Sequence, residues 1–144
     1  LPGVDSCISA RSRIASRYAA ALADVPGITF VCPPNLKGHN FYAFPILVGP
    51  EYALTRDELY ERMRGADVHA RRYFHPLISD QPMYRSLPSA ASQYLPNATR
   101  TAARILNLPI YPELTSDDQD RVIELILAAD AKRHHVKDCR CIEI

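Results

Sequence analysis

The stretch NFYAFPILVG, residues 40–49, is the longest mainly apolar run of the chain. Aromatic and aliphatic side chains of this kind fit a pleated, half-buried surface, so the run predicts a β-strand. Proline has no N–H to donate to a ladder, and Pro45 therefore predicts an edge position or a bulge for this strand. The other predicted elements lie on both sides of it in the sequence.

The N-terminal side supplies one helix and one strand. Ile14, Tyr18 and Leu22 recur four residues apart within residues 9–22, and arginines occupy other positions on the helical wheel. This spacing is typical of an amphipathic helix with one buried face. The β-branched and aromatic run ITFVC, residues 28–32, then predicts a strand that ends at a pair of prolines.

The C-terminal side supplies the remaining elements. Thr55 and Glu58 have the spacing of a capping box, and the helix that they start runs to about Gly65. The next predicted elements are a third strand at 67–74 and a helix from Asn97 as N-cap to Leu106. An extended crossing at 106–114 follows. The last predicted helix begins at Thr115, and its buried face consists of Val122, Ile123, Leu125, Ile126 and Leu127. This order predicts an α+β fold, a mixed α/β layer in which helices cover one face of a short sheet.

Composition narrows the possible partners. The chain has 144 residues, a formal net charge of +1 and scattered basic residues, so broad attraction to nucleic acid or to an anionic membrane is not expected. No apolar run reaches the ~20 residues of a membrane helix.

One globular domain is the default at this length. The first residues, LPGVDSC, lack an initiator Met and a signal core, so we expect them to lie inside a longer chain.

The four cysteines are too few and too unevenly spaced for a disulfide scaffold, so we expect a reducing compartment, the cytoplasm. Cys139 and Cys141 follow His134 and His135, which are soft metal ligands, but their spacing matches no common zinc site. A metal site and an ordinary chain terminus are the two interpretations. We predict no metal.

One segment, HARRYFHPLISDQPMYRSLP at 69–88, concentrates cations, aromatic rings and an imidazole. On a regular strand Arg72 and Phe74 share one face, while Arg71, Tyr73 and His75 share the other. Guanidinium groups beside aromatic rings suit an anionic ligand that carries a ring. In the alternative interpretation, Arg71 is a solvated surface charge, Phe74 belongs to the core and His75 bonds to the following loop. The residues alone leave both interpretations open.

Other polar and aromatic positions are less specific. His39 and Asn40 either meet the same ligand or cap the turn out of KGHN, and the turn is favoured because Gly and Asn form turns. We expect core and loop packing for the spaced tyrosines 42, 60, 73, 84, 94 and 111. The sequence contains no nucleophile-elbow motif and no Gly-rich phosphate loop. It therefore carries no self-contained catalytic motif.

Four segments, taken in chain order, resemble the C-terminal part of the DegT/DnrJ-type nucleotide-sugar aminotransferases. They are RSRIASRYAAALADVPGITF (11–30), HNFYAFPILV (39–48), ADVHARRYFHPLISDQPMYRSLP (66–88) and ARILNLPIYPELTSDDQDRVIELI (103–126). The resemblance extends from about Ser9 to Ala129. It implies the small C-terminal domain of a fold-type-I aminotransferase at residues 1–133, with a linking helix at 1–25 and a short, mostly antiparallel sheet covered by helices. Residues 134–144 are then a flexible tail, and the large cofactor-binding domain is absent from this sequence.

The resemblance also implies a substrate. RRYFHPL is most similar to the RRYFYPL of the branch that acts on dTDP-linked keto-6-deoxyhexoses, with His75 in place of the tyrosine. The implied reaction transfers an amino group from an amino acid, expected to be glutamate, to that sugar. The segment that faces the sugar nucleotide in the family corresponds here to Arg72, Tyr73, Phe74 and His75, and we add Asn40 to these expected substrate-binding residues.

The family uses pyridoxal phosphate (PLP), which the large domain holds through a lysine. The only lysines here are Lys37, Lys132 and Lys137, and none lies in a PLP-lysine motif. We therefore expect the chain alone to bind no PLP and to be inactive, and the intact enzyme to be a homodimer. A stand-alone, non-catalytic domain that binds sugar nucleotides or a partner is the alternative.

Overall fold

The computed structural model describes residues 2–31 and 38–138, with side chains up to Ala129 in the last helix. The helices and strands are α1 (Val4–Leu22), β1 (Ile28–Phe30), β2 (Phe44–Val48), α2 (Arg56–Gly65), α3 (Pro96–Ala102), β3 (Ile105–Leu108) and α4 (Ser116–Asp138). Three short 3₁₀ helices lie at Ile78–Asp80, Pro88–Ala90 and Ser92–Tyr94. The predicted α+β class is confirmed.

The sheet has three strands in the order β1-β2-β3, and both pairs are antiparallel. Ile28 lies opposite Val48, and Phe44 lies opposite Leu108. The prediction of a short antiparallel sheet with helices packed on it is therefore confirmed.

The position predicted for the strand with Pro45 is wrong, because β2 is the central strand and not an edge strand. The Pro45 carbonyl accepts the Val31 N–H at 3.2 Å, just beyond the end of β1. In an antiparallel strand the N and O of one residue point to the same neighbour, so the missing N–H faces the side where β1 has already ended. Proline is tolerated here because its nitrogen faces no continuing strand.

The third strand also differs from its prediction. Residues 67–74 contribute only an isolated bridge between Arg71 and Asn107, and β3 is formed by residues 105–108. The prediction had divided those residues between a helix and an extended crossing. Leu106 and Leu108 are buried on alternate positions, which is the period of a strand with one face in the core.

Helix α3 begins and ends earlier than predicted. Its N-cap is Leu95, with Pro96 in the first helical position that proline favours, whereas the predicted cap Asn97 accepts a hydrogen bond from Arg100. At the C-terminal end the buried Arg56 donates to the carbonyls of Ala102 (2.8 Å) and Ile105 (3.1 Å). These bonds satisfy carbonyls where α3 ends and β3 begins.

The core lies between the sheet and the helices. The predicted face of α1, formed by Ile14, Tyr18 and Leu22, is buried, and the capping box of α2 is present as predicted. Helix α4 packs on α1, where Gln119 donates to the Ile14 carbonyl at 2.8 Å. Leu127 is 41% exposed, so its predicted burial is wrong.

Helix α4 continues to Asp138, and the rest of the predicted tail, with Cys139 and Cys141, lies outside the described residues. In the described ranges no three His, Cys, Asp or Glu side chains are grouped as ligands for a metal ion. Across those ranges, too, every helix is too short or too polar to cross a membrane. The proposed domain boundaries at 1–133 and 134–144 stay predictions.

Gly27 fixes the turn that leads into β1. Its φ is +76°, and its carbonyl accepts the Gly49 N–H at 2.6 Å. A Cβ at this position would lie 2.2 Å from the backbone N of Tyr52. Both the backbone conformation and this close approach require glycine.

We predict that Gly27→Ala lowers the free energy of unfolding by about 2–5 kcal/mol, because it adds a backbone clash to the cost of a left-handed conformation. Gly38→Ala is the matched control, since Gly38 has a φ of +78° but a Cβ added there would have no atom within 4 Å. It should lose only about 1–2 kcal/mol. Urea denaturation followed by circular dichroism measures both, and equal losses would contradict the role of the Tyr52 contact.

Candidate functional site

A groove of about 510 Å³ lies at one end of the sheet. It is enclosed by the chain before β2, the chain after β3, residues 67–73 and the first turns of α4. Its polar and aromatic lining consists of Tyr42, Asp67, His69, Arg71, Tyr73, Asn107, Tyr111, Asp118 and Arg121. The groove thus brings together residues from four separate parts of the chain.

The backbone pairing of Arg71 with Asn107 holds residues 71–73 against the groove. The Arg71 N–H donates to the Asn107 carbonyl at 3.0 Å, and the Asn107 N–H donates to the Arg71 carbonyl at 2.8 Å. The Asn107 side chain is buried, and its Oδ1 accepts no hydrogen bond from the described residues. A buried carbonyl oxygen without a donor is unusual in folded proteins.

Arg72 points to the other side of this segment and contacts helix α2. Its Nη1 donates to Asp57 Oδ1 at 3.0 Å, and its guanidinium carbon lies 4.4 Å from the centre of the Tyr60 ring. Asp57 Oδ1 also accepts from the Nε of Arg56 at 2.9 Å. Partial burial acts to raise the pKa of Asp57, but the hydrogen bonds and charges of Arg72 and Arg56 outweigh it and lower the pKa below its ordinary value of 3.8.

The other candidates from the same segment are mostly exposed. Tyr73 lines the groove, and its ring stacks on that of Phe74 with 4.1 Å between centroids. Phe74 is 69% exposed, so it is not the core residue of the alternative interpretation. The His75 side chain is exposed, and its backbone N–H donates to the Arg72 carbonyl at 3.0 Å. Arg71 and Tyr73 were predicted to share one face of the segment, and both line the groove.

Asn40 forms the turn that the sequence favoured. Its Oδ1 accepts the Tyr42 N–H at 3.2 Å, and its carbonyl accepts the Nε of Arg11 at 2.8 Å. Asn40 does not line the groove, but its turn leads directly to Tyr42, which does. A direct contact between Asn40 and a substrate stays a prediction, as do the contacts of Arg72, Tyr73, Phe74 and His75.

Residues 71–101 form a long surface segment in which no residue is buried. Several of its apolar side chains are strongly exposed, namely Phe74 (69%), Ile78 (73%), Met83 (72%) and Tyr94 (65%). Of the spaced tyrosines, Tyr84 and Tyr94 in this segment and Tyr42 and Tyr111 at the groove are exposed, so these four do not belong to the core. Contiguous patches of exposed apolar side chains are typical of interaction surfaces, and this segment is the candidate for one among the described residues.

The groove lacks the group that PLP needs for attachment. No lysine is among its lining residues, and PLP enzymes of this type tether the cofactor through a lysine amine. The side chains of Lys37, Lys132 and Lys137 lie outside the described part. The residues that line the groove therefore do not fit a PLP attachment site.

Six polar or aromatic residues of the groove lie outside the segment 69–88 that the sequence indicated: Tyr42, Asp67, Asn107, Tyr111, Asp118 and Arg121. Tyr111 lies on the extended crossing that the prolines predicted, and the Pro109 carbonyl on that crossing accepts a hydrogen bond from Tyr18 OH at 3.0 Å. Asp118 and Arg121 are three positions apart in α4 and so share one face of the helix. The three-residue spacing of Asp118 and Arg121 was the available sequence signal, but no local pattern indicates that this helix face lies close to residues 71–73.

Comparison with known proteins identifies the family. The model of the DegT/DnrJ/EryC1/StrS aminotransferase family matches residues 1–127. The chain belongs to this family. The chain spans about a third of the length of the curated relatives that it matches, 34% and 33% for the two described next.

Two relatives are sugar transaminases. The dTDP-4-amino-4,6-dideoxy-D-glucose transaminase of Escherichia coli is 38% identical over 128 residues, which cover 88% of this chain and 34% of that protein. The dTDP-3-amino-3,4,6-trideoxy-alpha-D-glucose transaminase of Micromonospora megalomicea subsp. nigra is 32% identical over 130 residues, with 88% and 33% covered. The solved structure of DesI in the presence of its TDP-sugar product superposes with a TM-score of 0.77 and 29% identity, covering 96% of this chain and 35% of that one.

We predict that Asp57→Asn lowers the free energy of unfolding at neutral pH, and that the loss disappears in acid. A lowered pKa in the folded state means that the carboxylate stabilises the fold above its ordinary pKa and loses this effect as the pH falls through the folded value. Asp57 is 59% exposed, so solvent screening keeps the loss below about 1 kcal/mol. Urea denaturation from neutral to strongly acidic pH measures it.

Asp24→Asn is the control for that comparison. Asp24 is an exposed carboxylate for which no hydrogen bond or ion pair with a described residue is found. A pH-dependent loss of the same size in Asp24→Asn would show that total charge, rather than the contacts with Arg72 and Arg56, is responsible.

Proposed function

We propose that this chain is the C-terminal domain of a PLP-dependent aminotransferase that converts a dTDP-linked keto-6-deoxy sugar to the amino sugar. The amino group comes from an amino acid, glutamate, which leaves as its 2-oxo acid. The observation that carries this proposal is the position of RRYFHPL, the segment with the family likeness, on the surface beside the groove.

The exposed segment 71–101 supports a larger assembly over a stand-alone domain. Its apolar side chains, including Phe74, Ile78 and Met83, face water in the isolated chain. Ligand sites commonly form at junctions between domains. In our proposal this segment faces the large domain or the second subunit of a cytoplasmic homodimer, and Arg72, Tyr73, Phe74, His75 and Asn40 face the sugar nucleotide.

The contribution of this chain to the reaction is orientation. PLP, held by the rest of the intact enzyme, supplies the electron sink for moving the amino group. The cation and rings at Arg72, Tyr73 and Phe74 hold the sugar nucleotide so that its keto carbon lies close to the reacting amine. Correct positioning is worth up to about 7–11 kcal/mol of a reaction barrier. Asp57 and Tyr60 fix the Arg72 guanidinium before any substrate arrives.

A chimera tests the proposed activity. We predict that the Escherichia coli transaminase with its matching C-terminal third replaced by this chain forms an amino sugar from glutamate and a dTDP-linked 4-keto-6-deoxyhexose. Chromatography with mass spectrometry detects the product, and the truncated E. coli protein without a C-terminal third is the negative control. A folded, PLP-loaded chimera without product would overturn the proposal. A 3-keto substrate in a parallel reaction distinguishes the two positions of amination.

Arginine variants of the active chimera test the binding role of Arg72. Arg72→Ala should lower kcat/KM by roughly 10-fold to 100-fold, as expected for the loss of a hydrogen bond to a charged group. Arg64→Ala is the matched control, since Arg64 is 67% exposed and lies at the far end of α2. Equal effects of the two variants would remove Arg72 from the proposed site.

Borohydride trapping tests the predicted inactivity of the chain by itself. After incubation with PLP and reduction, we predict no stoichiometric adduct of about 230 Da in the intact mass, because the tethering lysine belongs to the large domain. The full-length E. coli transaminase is the positive control. A stoichiometric adduct at Lys37 would show that this chain holds the cofactor unaided.

A further inference from the structure

We propose that the groove binds the hexose ring of the substrate through its uncharged hydroxyl groups, and does not bind the diphosphate. This inference rests on the proposed function, because it assigns one part of the sugar nucleotide to one surface. The proposed binding surface includes groove residues from β3 and α4 in addition to residues of the segment 69–88.

The charges of the groove are balanced. Its lining contains two guanidinium groups, Arg71 and Arg121, and two carboxylates, Asp67 and Asp118. A diphosphate requires an excess of positive charge, and carboxylates beside it would repel it. The balanced set suits a neutral ligand.

The polar groups of the groove include both donors and acceptors, and hydrogen bonds hold two of them, Arg121 and Asp118. Arg121 donates to the Ala66 carbonyl, and Asp118 accepts from the Thr115 hydroxyl at 2.6 Å. Asp67 lies 3.4 Å from the imidazole of His69. A sugar hydroxyl both donates and accepts hydrogen bonds, so it can pair with either kind of group.

The groove also provides surfaces for the C–H faces of a sugar ring. Tyr42 and Tyr111, which are 65% and 45% exposed, present rings with a polar hydroxyl at one end. Val68, Leu114 and Val122 add apolar lining. A 6-deoxyhexose carries a methyl group that would be favoured by such a surface.

NMR titration of the isotope-labelled 144-residue chain tests the inference. The probes are methyl 6-deoxy-α-D-glucopyranoside and dTDP, each at millimolar concentrations. We expect the glycoside to shift the amide signals of Tyr111, Asp118 and Arg121 in a saturable way, and dTDP to leave them unshifted. No glycoside shift at these residues, or equal shifts with dTDP, would overturn the inference.

Two tyrosine variants make the test specific. Tyr42 and Tyr94 are both 65% exposed, but only Tyr42 lines the groove. Tyr42→Ala should weaken glycoside binding about fivefold, as expected for the loss of one aromatic contact, whereas Tyr94→Ala should leave it unchanged. Equal losses in the two variants would contradict binding in the groove. Both substitutions are at exposed positions, and circular dichroism verifies that each variant is folded.

The outcomes separate this inference from the proposed function. An active chimera combined with no glycoside shift would overturn the hexose assignment and leave the aminotransferase proposal in place. Glycoside binding combined with an inactive chimera would support the groove assignment and favour a non-catalytic sugar-binding domain.

Discussion

The reciprocal backbone pair between Arg71 and Asn107 is the constraint on which the groove depends. It attaches residues 71–73 to the outer edge of β3, although they form no strand of their own. Because β3 also pairs with β2, the same contact relates the segment to Tyr42 before β2 and to Tyr111 after β3. These two hydrogen bonds therefore set the relative positions of the rings of Tyr42, Tyr73 and Tyr111, which are distant in the sequence.

The sequence predicted those elements that depend on local spacing. The buried face of α1 and the capping box of α2 are examples, since residues three or four apart decide them. The choice of the third strand was wrong because pairing with β2 decides it, and four residues, ILNL, carry little local signal. The tolerance of Pro45 in a central strand depends likewise on where β1 ends, which lies in a different part of the chain.

The site was predictable to the extent that strand alternation determines it. Alternation placed Arg71 and Tyr73 on one face, which lines the groove, and Arg72 on the other, which contacts α2. The partner of Arg72 was not predictable, because Asp57 is fifteen positions earlier, on a helix whose packing brings it close. Asn107 was missed as a groove residue because nothing local in the strand ILNL indicates that it pairs with Arg71.

The unburied segment 71–101 has a consequence for how this domain changes during evolution. Beyond the pairing of Arg71 with β3, the backbone hydrogen bonds of residues 75–101 are short-range, such as those from Tyr84 to Gln81 and from Tyr94 to Ala91, so the shape of this part does not depend on hydrogen bonds to the core. Substitutions of its outward side chains therefore cost little folding stability. The surface can diverge to suit new neighbours while the sheet and helices beneath it stay unchanged.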